Sequence, residues 1–278
     1  MKLYKTAKEF LLEKSGQFYL VQNESWDDLI NRDDLFAHLL TISKQARPIE
    51  NGQQIIKSNL LPPIESQEIW ASGVTYLRSM KARMEESKNA GGDTFYDKVY
   101  DAERPELFFK ATASRTVGSG GKVRIRKDST WNVPEPELTL YINSNKKVVG
   151  YTIGNDMSSR SIEGENPLYL PQAKSYDGSA GLGPSIYVPE HPISPESLIS
   201  MEILRNEEEV FSEKIGINQM KRAHSELVEY LFRECSFPKG CFLMTGTGII
   251  PPNDFTLQIG DEIRISIDHI GTLVNWVE

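Results

Sequence analysis

Hydrophobic and polar positions of the 278-residue chain follow two patterns, short strand-like apolar segments and apolar residues at helical spacing. Within residues 1–65, strand-like KLYKT and QFYLVQ precede DDLINRDDLFAHLLTIS, whose apolar residues recur at helical spacing. This stretch closes on LPPIES, where Pro62 and Pro63 favour a boundary. We therefore predict a small N-terminal domain over residues 1–65 and a larger domain over residues 66–278.

The larger part consists mostly of short apolar segments separated by glycine and proline. It opens with a strand that runs into a turn, IWASGVTYL, and a charged helix, SMKARMEESKNA, expected to end at Gly91 and Gly92. The predicted strands that follow are ELFFKATA, KVRIR, ELTLYI, VVGYTIGNDM, SIYVP, SMEILRN, CFLMTGTGII and DEIRISIDHIGTLVNWV. One helix, KRAHSELVEYLFREC, interrupts them. Because no run of βαβ units occurs, the pattern predicts a β-rich α+β fold.

Composition limits the partners of the chain. The formal net charge is -8, which disfavours nucleic acid or an anionic membrane as the main partner. No apolar run has the length of a signal peptide or of a membrane span, about 20 residues, so we expect a soluble, cytoplasmic protein. Cys235 and Cys241 have neither disulfide nor zinc-site spacing, which predicts free thiols.

The stretch WNVPEPELTL places two glutamates, Glu135 and Glu137, in an extended apolar segment. Side chains two apart in a strand project to the same side, so both carboxylates can converge on one point. The next apolar run ends at Asp156. Three such carboxylates can bind Mg²⁺ or Mn²⁺ and leave positions for water and substrate. Two alternatives stay open, namely an exposed edge-strand pair of glutamates and a capping role for Asp156.

Longer motifs carry a resemblance to a known family. The run from PEPEL through VVGYTIGNDMSSR and QAKSYDGSAGLGPSIYV to CFLMTGTGI and IGDEIRISIDHIGTLVN resembles the fumarylacetoacetate hydrolase superfamily. The resemblance implies a mixed β-roll and a homodimer. It also implies that Glu135, Glu137 and Asp156 bind a catalytic Mg²⁺, with Mn²⁺ as the alternative, and that Lys174 points into the site.

Two positions depart from the common pattern of that superfamily. Many members that cleave carbon-carbon bonds have a histidine after the first strand, paired with a glutamate that activates water. Ser79 stands at the corresponding position of this chain. Ser161 replaces an acid that usually helps to order the loop after the aspartate. The missing histidine argues against a mechanism based on activated water.

Within the superfamily, four stretches are most similar to the dehydratases of 2-keto-3-deoxy-D-arabinonate: GVTYLRS, VYDAERPELFFKA, WNVPEPELTL and GNDMSSRSIEGENPLYLPQAK. The resemblance implies Mg²⁺-dependent dehydration to 2,5-dioxopentanoate. A 2-oxo acid chelated to Mg²⁺ has acidified C3 protons, so an enolate can form and the C4 hydroxyl can leave. The alternatives are a hydrolase of acylpyruvate or fumarylacetoacetate type and a non-catalytic metal-binding protein.

Elimination requires a base and an acid. We assign proton transfer to Lys174 and Glu106, and expect burial beside the metal to lower the pKa of Lys174. Arg78 and Ser79 are assigned to substrate binding, because a guanidinium matches a carboxylate. Thr247 is also assigned to substrate binding, because its hydroxyl and the neighbouring backbone amides of the TGTG turn can bind a carboxylate or a hydroxyl group. The alternative for Lys174, Glu106 and Arg78 is a position at the solvated surface, and for Thr247 a simple tight turn.

Overall fold

A computed structural model describes residues 1–87 and 98–278 of the chain. Its strands are β1 (Lys2–Lys5), β2 (Phe10–Lys14), β3 (Gln17–Val21), β4 (Glu68–Gly73), β5 (Glu106–Thr112), β6 (Thr116–Val117), β7 (Gly121–Val123), β8 (Asn132–Val133), β9 (Pro136–Ile142), β10 (Val148–Asp156), β11 (Ser158–Ser159), β12 (Ala180–Tyr187), β13 (Leu198–Arg205), β14 (Glu208–Gly216), β15 (Cys241–Met244), β16 (Glu262–Ile267) and β17 (Gly271–Val277). The helices are α1 (Trp26–Ile30), α2 (Leu35–Gln45), α3 (Gly52–Asn59), α4 (Leu77–Ser87), α5 (Arg160–Glu165), α6 (Leu170–Lys174) and α7 (His224–Leu231). Residues 98–101 are also helical.

The strands form two main sheets that pack against each other. The ten-stranded sheet has the order β3-β2-β1-β12-β10-β9-β15-β4-β5, with β6 beside β12. The five-stranded sheet has the order β14-β13-β16-β17-β7, and β8 pairs with β11 separately. Aliphatic side chains of β9 and β10 pack with those of β13 and β16 in one core. This arrangement confirms the predicted β-rich α+β fold.

Strand β9 lies in the middle of the larger sheet and is buried along its whole length. It pairs antiparallel with β10 on one side and with β15 on the other. The predicted alternative of an exposed edge strand is therefore wrong. The register opposes Glu137 to Gly154, and the Asp156 amide donates to the carbonyl of Glu135 at 2.9 Å. Strand pairing alone thus brings the three acidic residues together.

The N-terminal strands continue the larger sheet. Strand β1 pairs antiparallel with β12, and Leu3 lies opposite Ile186. Leu3 and Trp26 share a core cluster with Tyr141 and Phe242. The sheet therefore crosses the boundary near residue 65, and the division into two domains stays a prediction.

The predicted helix over residues 27–43 is two helices, α1 and α2. Ser25 caps α1 by accepting a hydrogen bond from the Asp28 amide. Between the helices, the Asp33 carboxylate accepts hydrogen bonds from Asn143 and Lys147 in the turn between β9 and β10, at 2.7 and 2.6 Å. These contacts of Asp33 explain why the helix is interrupted there.

Other predicted elements differ in extent. The predicted end of the charged helix at Gly91 and Gly92 lies outside the described residues. Helix α7 is shorter than the predicted segment, and α5 and α6 were not predicted. Cys235 is exposed and Cys241 is buried, and both are free, as predicted. None of the described helices combines the length and the apolar composition that crossing a bilayer requires.

The sheet that the two predicted domains share leads to a testable prediction about stability. Leu3 is completely buried, so Leu3→Ala should lower the free energy of unfolding by about 2–5 kcal/mol, as measured in urea. Leu168→Ala is the control, because Leu168 is 82% exposed. If β1 and β12 unfold together, the whole transition shifts. An early transition confined to residues 1–65 would instead support a separate domain.

Candidate active site

Three carboxylates converge where β9 and β10 meet. One oxygen from each of Glu135, Glu137 and Asp156 lies within 4.8 Å of the others, and all three residues are buried. Glu135 precedes β9, Glu137 lies within it, and Asp156 ends β10. Asp156 does not act as a cap for α5, since Ser159 holds that position. The predicted acidic cluster is therefore present.

Buried cations surround these carboxylates. The Lys174 ammonium lies 2.6 Å from Glu135 Oε2 and 3.1 Å from Asp156 Oδ2. The Lys110 ammonium lies 2.6 Å from Asp156 Oδ1, and the Arg160 guanidinium lies 3.2 Å from Glu135 Oε1. An unpaired buried charge costs several kcal/mol, so these pairs are needed to hold the acids inside the protein.

The third carboxylate is held by the backbone. The Gly246 amide donates to Glu137 Oε2 at 2.6 Å. Gly246 has a φ of +95°, and a side chain there would collide with Thr75 and the Ser72 carbonyl. Only glycine fits this turn, which directs its N–H at the carboxylate.

The acids differ in their affinity for protons. Burial, with the neighbouring charges of Asp156 and Glu135, raises the pKa of Glu137 well above its ordinary value. Burial also raises the pKa of Glu135. Burial alone would raise the pKa of Asp156, but Lys110 and Lys174 outweigh it and hold that pKa below its usual range. The cluster therefore retains protons most readily at Glu137.

The expected lowering of the pKa of Lys174 is wrong for this structure. Burial does favour the neutral amine, but the carboxylates of Asp156, Glu135 and Glu163 outweigh it and raise the pKa of Lys174. Lys174 is completely buried, at the end of α6. The surface alternative is thus excluded, and Lys174 holds the acids together as a cation.

Glu106 lies beside the cluster at the start of β5. The residue is partly exposed, yet its Oε2 atom is buried and has no hydrogen-bond partner among the described residues. Gly73, which lies opposite Glu106 in β4, leaves no room for a side chain because the carboxyl group fills that space. Burial raises the pKa of Glu106, which favours the neutral acid.

The predicted substrate-binding residues separate into two groups. Ser79 and Thr247 line one pocket with the three carboxylates, Lys174, Arg83 and Arg160. Arg78 lies in a neighbouring groove with Lys81 and Lys214, and its guanidinium pairs with Glu213. The structure therefore does not bring Arg78 to the acidic cluster.

Four charged residues of the site were missed from the sequence. Arg83 pairs with Glu163, and both are buried. Arg160 contacts Glu135, and Lys110 contacts Asp156. The signal for Lys110 was its charge within the apolar segment ELFFKA. A charge in such a buried strand requires a partner.

A family model for the C-terminal part of fumarylacetoacetate hydrolase matches residues 68–278. The chain belongs to the fumarylacetoacetate hydrolase family. The match covers the three carboxylates, Glu106 and Lys174, and it confirms the resemblance seen in the sequence.

Two relatives share much of the family domain. The chain is 49% identical over 216 residues to a probable 2-keto-3-deoxyxylonate dehydratase of Haloferax volcanii, covering 77% of this chain and 73% of that protein. It is 43% identical over 227 residues to the 2-dehydro-3-deoxy-D-arabinonate dehydratase of Saccharolobus solfataricus, covering 81% and 76%. Both relatives are named as dehydratases of sugar-derived 2-oxo acids.

Solved structures share the fold over the whole chain. A 2-keto-3-deoxy-D-arabinonate dehydratase complexed with magnesium and 2,5-dioxopentanoate has a TM-score of 0.83 at 33% identity, covering 100% of this chain and 99% of that one. A fumarylacetoacetate hydrolase of Exiguobacterium antarcticum has a TM-score of 0.72 at 23% identity, covering 100% and 99%. The second similarity shows the fold alone.

The donor set of the cluster fits a hard divalent cation. Glu135, Glu137 and Asp156 offer only carboxylate oxygens, which Mg²⁺ and Mn²⁺ prefer. Burial and the charges of Asp156 and Glu135 raise the pKa of Glu137, so additional positive charge at the cluster would favour its ionised form. The residues therefore fit the magnesium that the similar dehydratase structure holds.

The raised pKa of Glu137 predicts proton release on metal binding. Between the ordinary value of 4.5 and its raised value, Glu137 carries a proton that a bound cation must displace. Titration calorimetry with Mg²⁺ in buffers of different ionisation enthalpy should show proton release that increases as the pH falls through the raised pKa of Glu137. Glu208 is exposed, so Glu208→Gln is the control and should not change the proton release. Binding without proton release at every pH would contradict this assignment.

Proposed function

We propose that this chain is a Mg²⁺-dependent dehydratase of a 2-keto-3-deoxy sugar acid, most specifically of 2-keto-3-deoxy-D-arabinonate. The observation that carries this proposal is the pocket in which three buried carboxylates, Lys174 and Ser79 lie together. The two dehydratase relatives support the substrate class. The reaction removes one water from the five-carbon acid and gives 2,5-dioxopentanoate.

Glu135, Glu137 and Asp156 would hold the metal. When bound, Mg²⁺ would polarise the 2-oxo group of the substrate and make the C3 protons more acidic. The carboxylates are buried, and ion pairs fix Glu135 and Asp156 in position, which strengthens electrostatic interactions within the site.

Lys174 and Glu106 are assigned the proton transfers. Lys174 lines the pocket as a cation, and the carboxylates of Asp156, Glu135 and Glu163 raise its pKa. With a metal bound, the charge of these carboxylates would be offset in part, and the Lys174 amine, once deprotonated, would take the C3 proton. The neutral carboxyl group of Glu106 gives a proton to the departing C4 hydroxyl. The C3–H and C4–O bonds break, water leaves, and the unsaturated product rearranges to the dioxo acid. This sequence consumes no water, so no residue has to activate one.

Substrate binding is assigned to Ser79 and Thr247 in the pocket. Thr247 is buried and its hydroxyl bonds to the backbone at Ile249, which orders the turn. For Arg78 to bind the substrate carboxylate, its guanidinium would have to leave Glu213. We retain Arg78 as a proposed binding residue on that condition.

Wider properties are proposed on the same basis. We expect a homodimer, as the family resemblance implies, with a small N-terminal domain over residues 1–65 and a catalytic domain over residues 66–278. We expect it in the cytoplasm because no apolar run of the sequence has the length of a signal peptide or membrane span. The formal net charge of -8 supports a small-molecule substrate and disfavours nucleic acid as a partner.

A proton NMR time course tests the proposed reaction. Purified protein with Mg²⁺ should convert 2-keto-3-deoxy-D-arabinonate to 2,5-dioxopentanoate, and a chelator should stop the conversion. A parallel sample should contain an acylpyruvate. Pyruvate and a free acid from that sample, with the sugar acid unchanged, would support the hydrolase instead. Metal binding without turnover of either compound would support a non-catalytic protein.

The role assigned to Glu106 predicts a selective loss of rate. Glu106→Gln should lower kcat by about 10²–10⁴-fold, because an amide cannot supply the proton, while Mg²⁺ affinity stays unchanged. Steady-state kinetics and calorimetry measure the two effects separately. Exposed Glu208→Gln is the matched control. A variant with normal kcat would remove Glu106 from the mechanism.

A further inference from the structure

The pocket contains a buried arginine that has no part in the proposed proton transfers. Arg83 lies on α4, one helical turn after Ser79, so both side chains project from the same face of the helix. It is 5% exposed and lines the pocket together with Ser79 and the three carboxylates. A guanidinium has five N–H donors in a planar fork, so it can pair with an acid on one edge and bind a ligand on another.

Glu163 holds Arg83 from the side of α5. The two side chains form an ion pair, Glu163 is buried, and α5 packs against α4. Burial alone would raise the pKa of Glu163, but the charges of Arg83, Lys174 and Arg160 outweigh it and hold that pKa below its ordinary value. Glu163 is therefore an anion that fixes the Arg83 guanidinium at the pocket wall.

The ion pair determines what kind of group Arg83 can bind. A guanidinium without a counter-charge in a buried pocket would attract an anion such as a carboxylate. Glu163 already balances the charge of Arg83, so the pair offers N–H donors with little net charge. Such a site suits a neutral hydroxyl group, whereas a second carboxylate of a ligand would add an uncompensated buried charge.

The position of Glu106 indicates which hydroxyl group Arg83 would meet. The Glu106 carboxyl group fills the space above Gly73, and Gly73 lines the pocket with Arg83. Burial is the main influence on the pKa of Glu106 and raises it, and the nearby charge of Arg83 opposes that rise. Glu106 is the proposed acid for the C4 hydroxyl group. The next carbon is C5, which carries the last hydroxyl group of the five-carbon acid.

The other end of the substrate is already assigned to different elements of the fold. The C1 carboxylate and C2 oxo group belong to the proposed metal site, whose three carboxylates come from β9, β10 and the residue before β9. Arg83 enters the pocket from α4 instead. The C5 hydroxyl group is therefore the part of the substrate that lacks a partner in the proposed function.

We propose that Arg83 donates a hydrogen bond to the C5 hydroxyl group of the substrate and so selects a hydroxylated sugar acid over a 2-oxo acid of the same length without that group. This inference rests on the proposed function, because it concerns the substrate assigned there. Arg83 is a specificity-determining residue. Glu163 is a positioning residue, since it acts through Arg83.

The first experiment measures binding without turnover. The probes are 5-hydroxy-2-oxopentanoate and 2-oxopentanoate, which differ only in the C5 hydroxyl group and lack the C4 hydroxyl group that dehydration removes. Titration calorimetry of the full-length protein with Mg²⁺ should give about 10- to 100-fold tighter binding of the hydroxylated acid, because its partner is a charged donor. In Arg83→Met the two affinities should agree within about threefold.

Steady-state kinetics test the same preference in the reaction. 2-Keto-3-deoxy-D-arabinonate and its 5-deoxy analogue, 2-oxo-4-hydroxypentanoate, both retain the C4 leaving group. The wild type should have an about 10- to 100-fold higher kcat/KM for the first acid, and this ratio should approach one in Arg83→Met. The ratio is informative because general damage to the fold or to the metal site would lower both values alike. Arg83→Lys keeps a charged donor and should retain part of the ratio.

Two further variants make the test decisive. If Arg83→Met does not fold, as judged by circular dichroism, the double variant Arg83→Met with Glu163→Met removes both charges of the pair and should show the same loss of preference. Lys81→Met is the matched control, because Lys81 lies on the same helix, carries the same charge and is exposed. It should keep the preference of the wild type.

The outcomes separate this inference from the proposed function. A wild type that binds the two probe acids equally would overturn the inference and leave the dehydratase intact. A folded variant without Arg83 that keeps the preference, or that loses affinity for both acids equally, would overturn it as well. A wild type that turns over neither 4-hydroxy acid would contradict the proposed function, while the calorimetric preference would still decide whether Arg83 binds the C5 hydroxyl group.

Discussion

The ion pairs of Lys174 with Glu135 and Asp156 hold the pocket together. They join the end of α6 to the segment before β9 and to the end of β10. All three groups are buried, and a buried charge that loses its partner destabilises the protein by about 3–5 kcal/mol. The same contact therefore serves the fold and the chemistry. Lys174 supplies positive charge to the acids in this structure, and it is the proposed base after it has lost a proton.

The need for paired charge extends through the site. Four buried acids lie among four buried cations: Glu135, Glu137, Asp156 and Glu163, with Lys110, Lys174, Arg83 and Arg160. Their formal charges cancel, yet burial and the neighbouring carboxylates of Asp156 and Glu135 raise the pKa of Glu137, and its direct partner is a backbone amide rather than a cation. The positive charges are not distributed evenly among the four acids. The place where positive charge is lacking is the place that a divalent cation would fill.

The sequence predicted the parts of the site that depend on strand geometry. Glu135 and Glu137 were found because alternate residues of a strand share a face, and Asp156 because a carboxylate ended an apolar run. The cations were missed because their partners lie far away in the chain. Lys110 is 46 residues from Asp156, a contact that only sheet pairing and the packing of α6 create.

The missed helices have a similar cause. Gly164, Pro167 and Pro171 interrupt the segment that forms α5 and α6, so no helical period was visible there. The break between α1 and α2 depends on contacts of Asp33 with the distant β9–β10 turn. Local pattern thus identified most strands of the sheets, whereas short helices fixed by tertiary contacts were not visible in it.

The wall formed by α4 favours elimination over hydrolysis. Ser79 replaces the histidine of many hydrolytic members, and its hydroxyl donates to the Tyr76 carbonyl at 2.7 Å within the first turn. The same helix directs Arg83 at buried Glu163. A guanidinium stays protonated and cannot take a proton from water. No histidine of residues 1–87 and 98–278 lines the pocket, so this wall lacks the base that hydrolysis requires. A dehydration needs no such base, because water is its product and not its reactant.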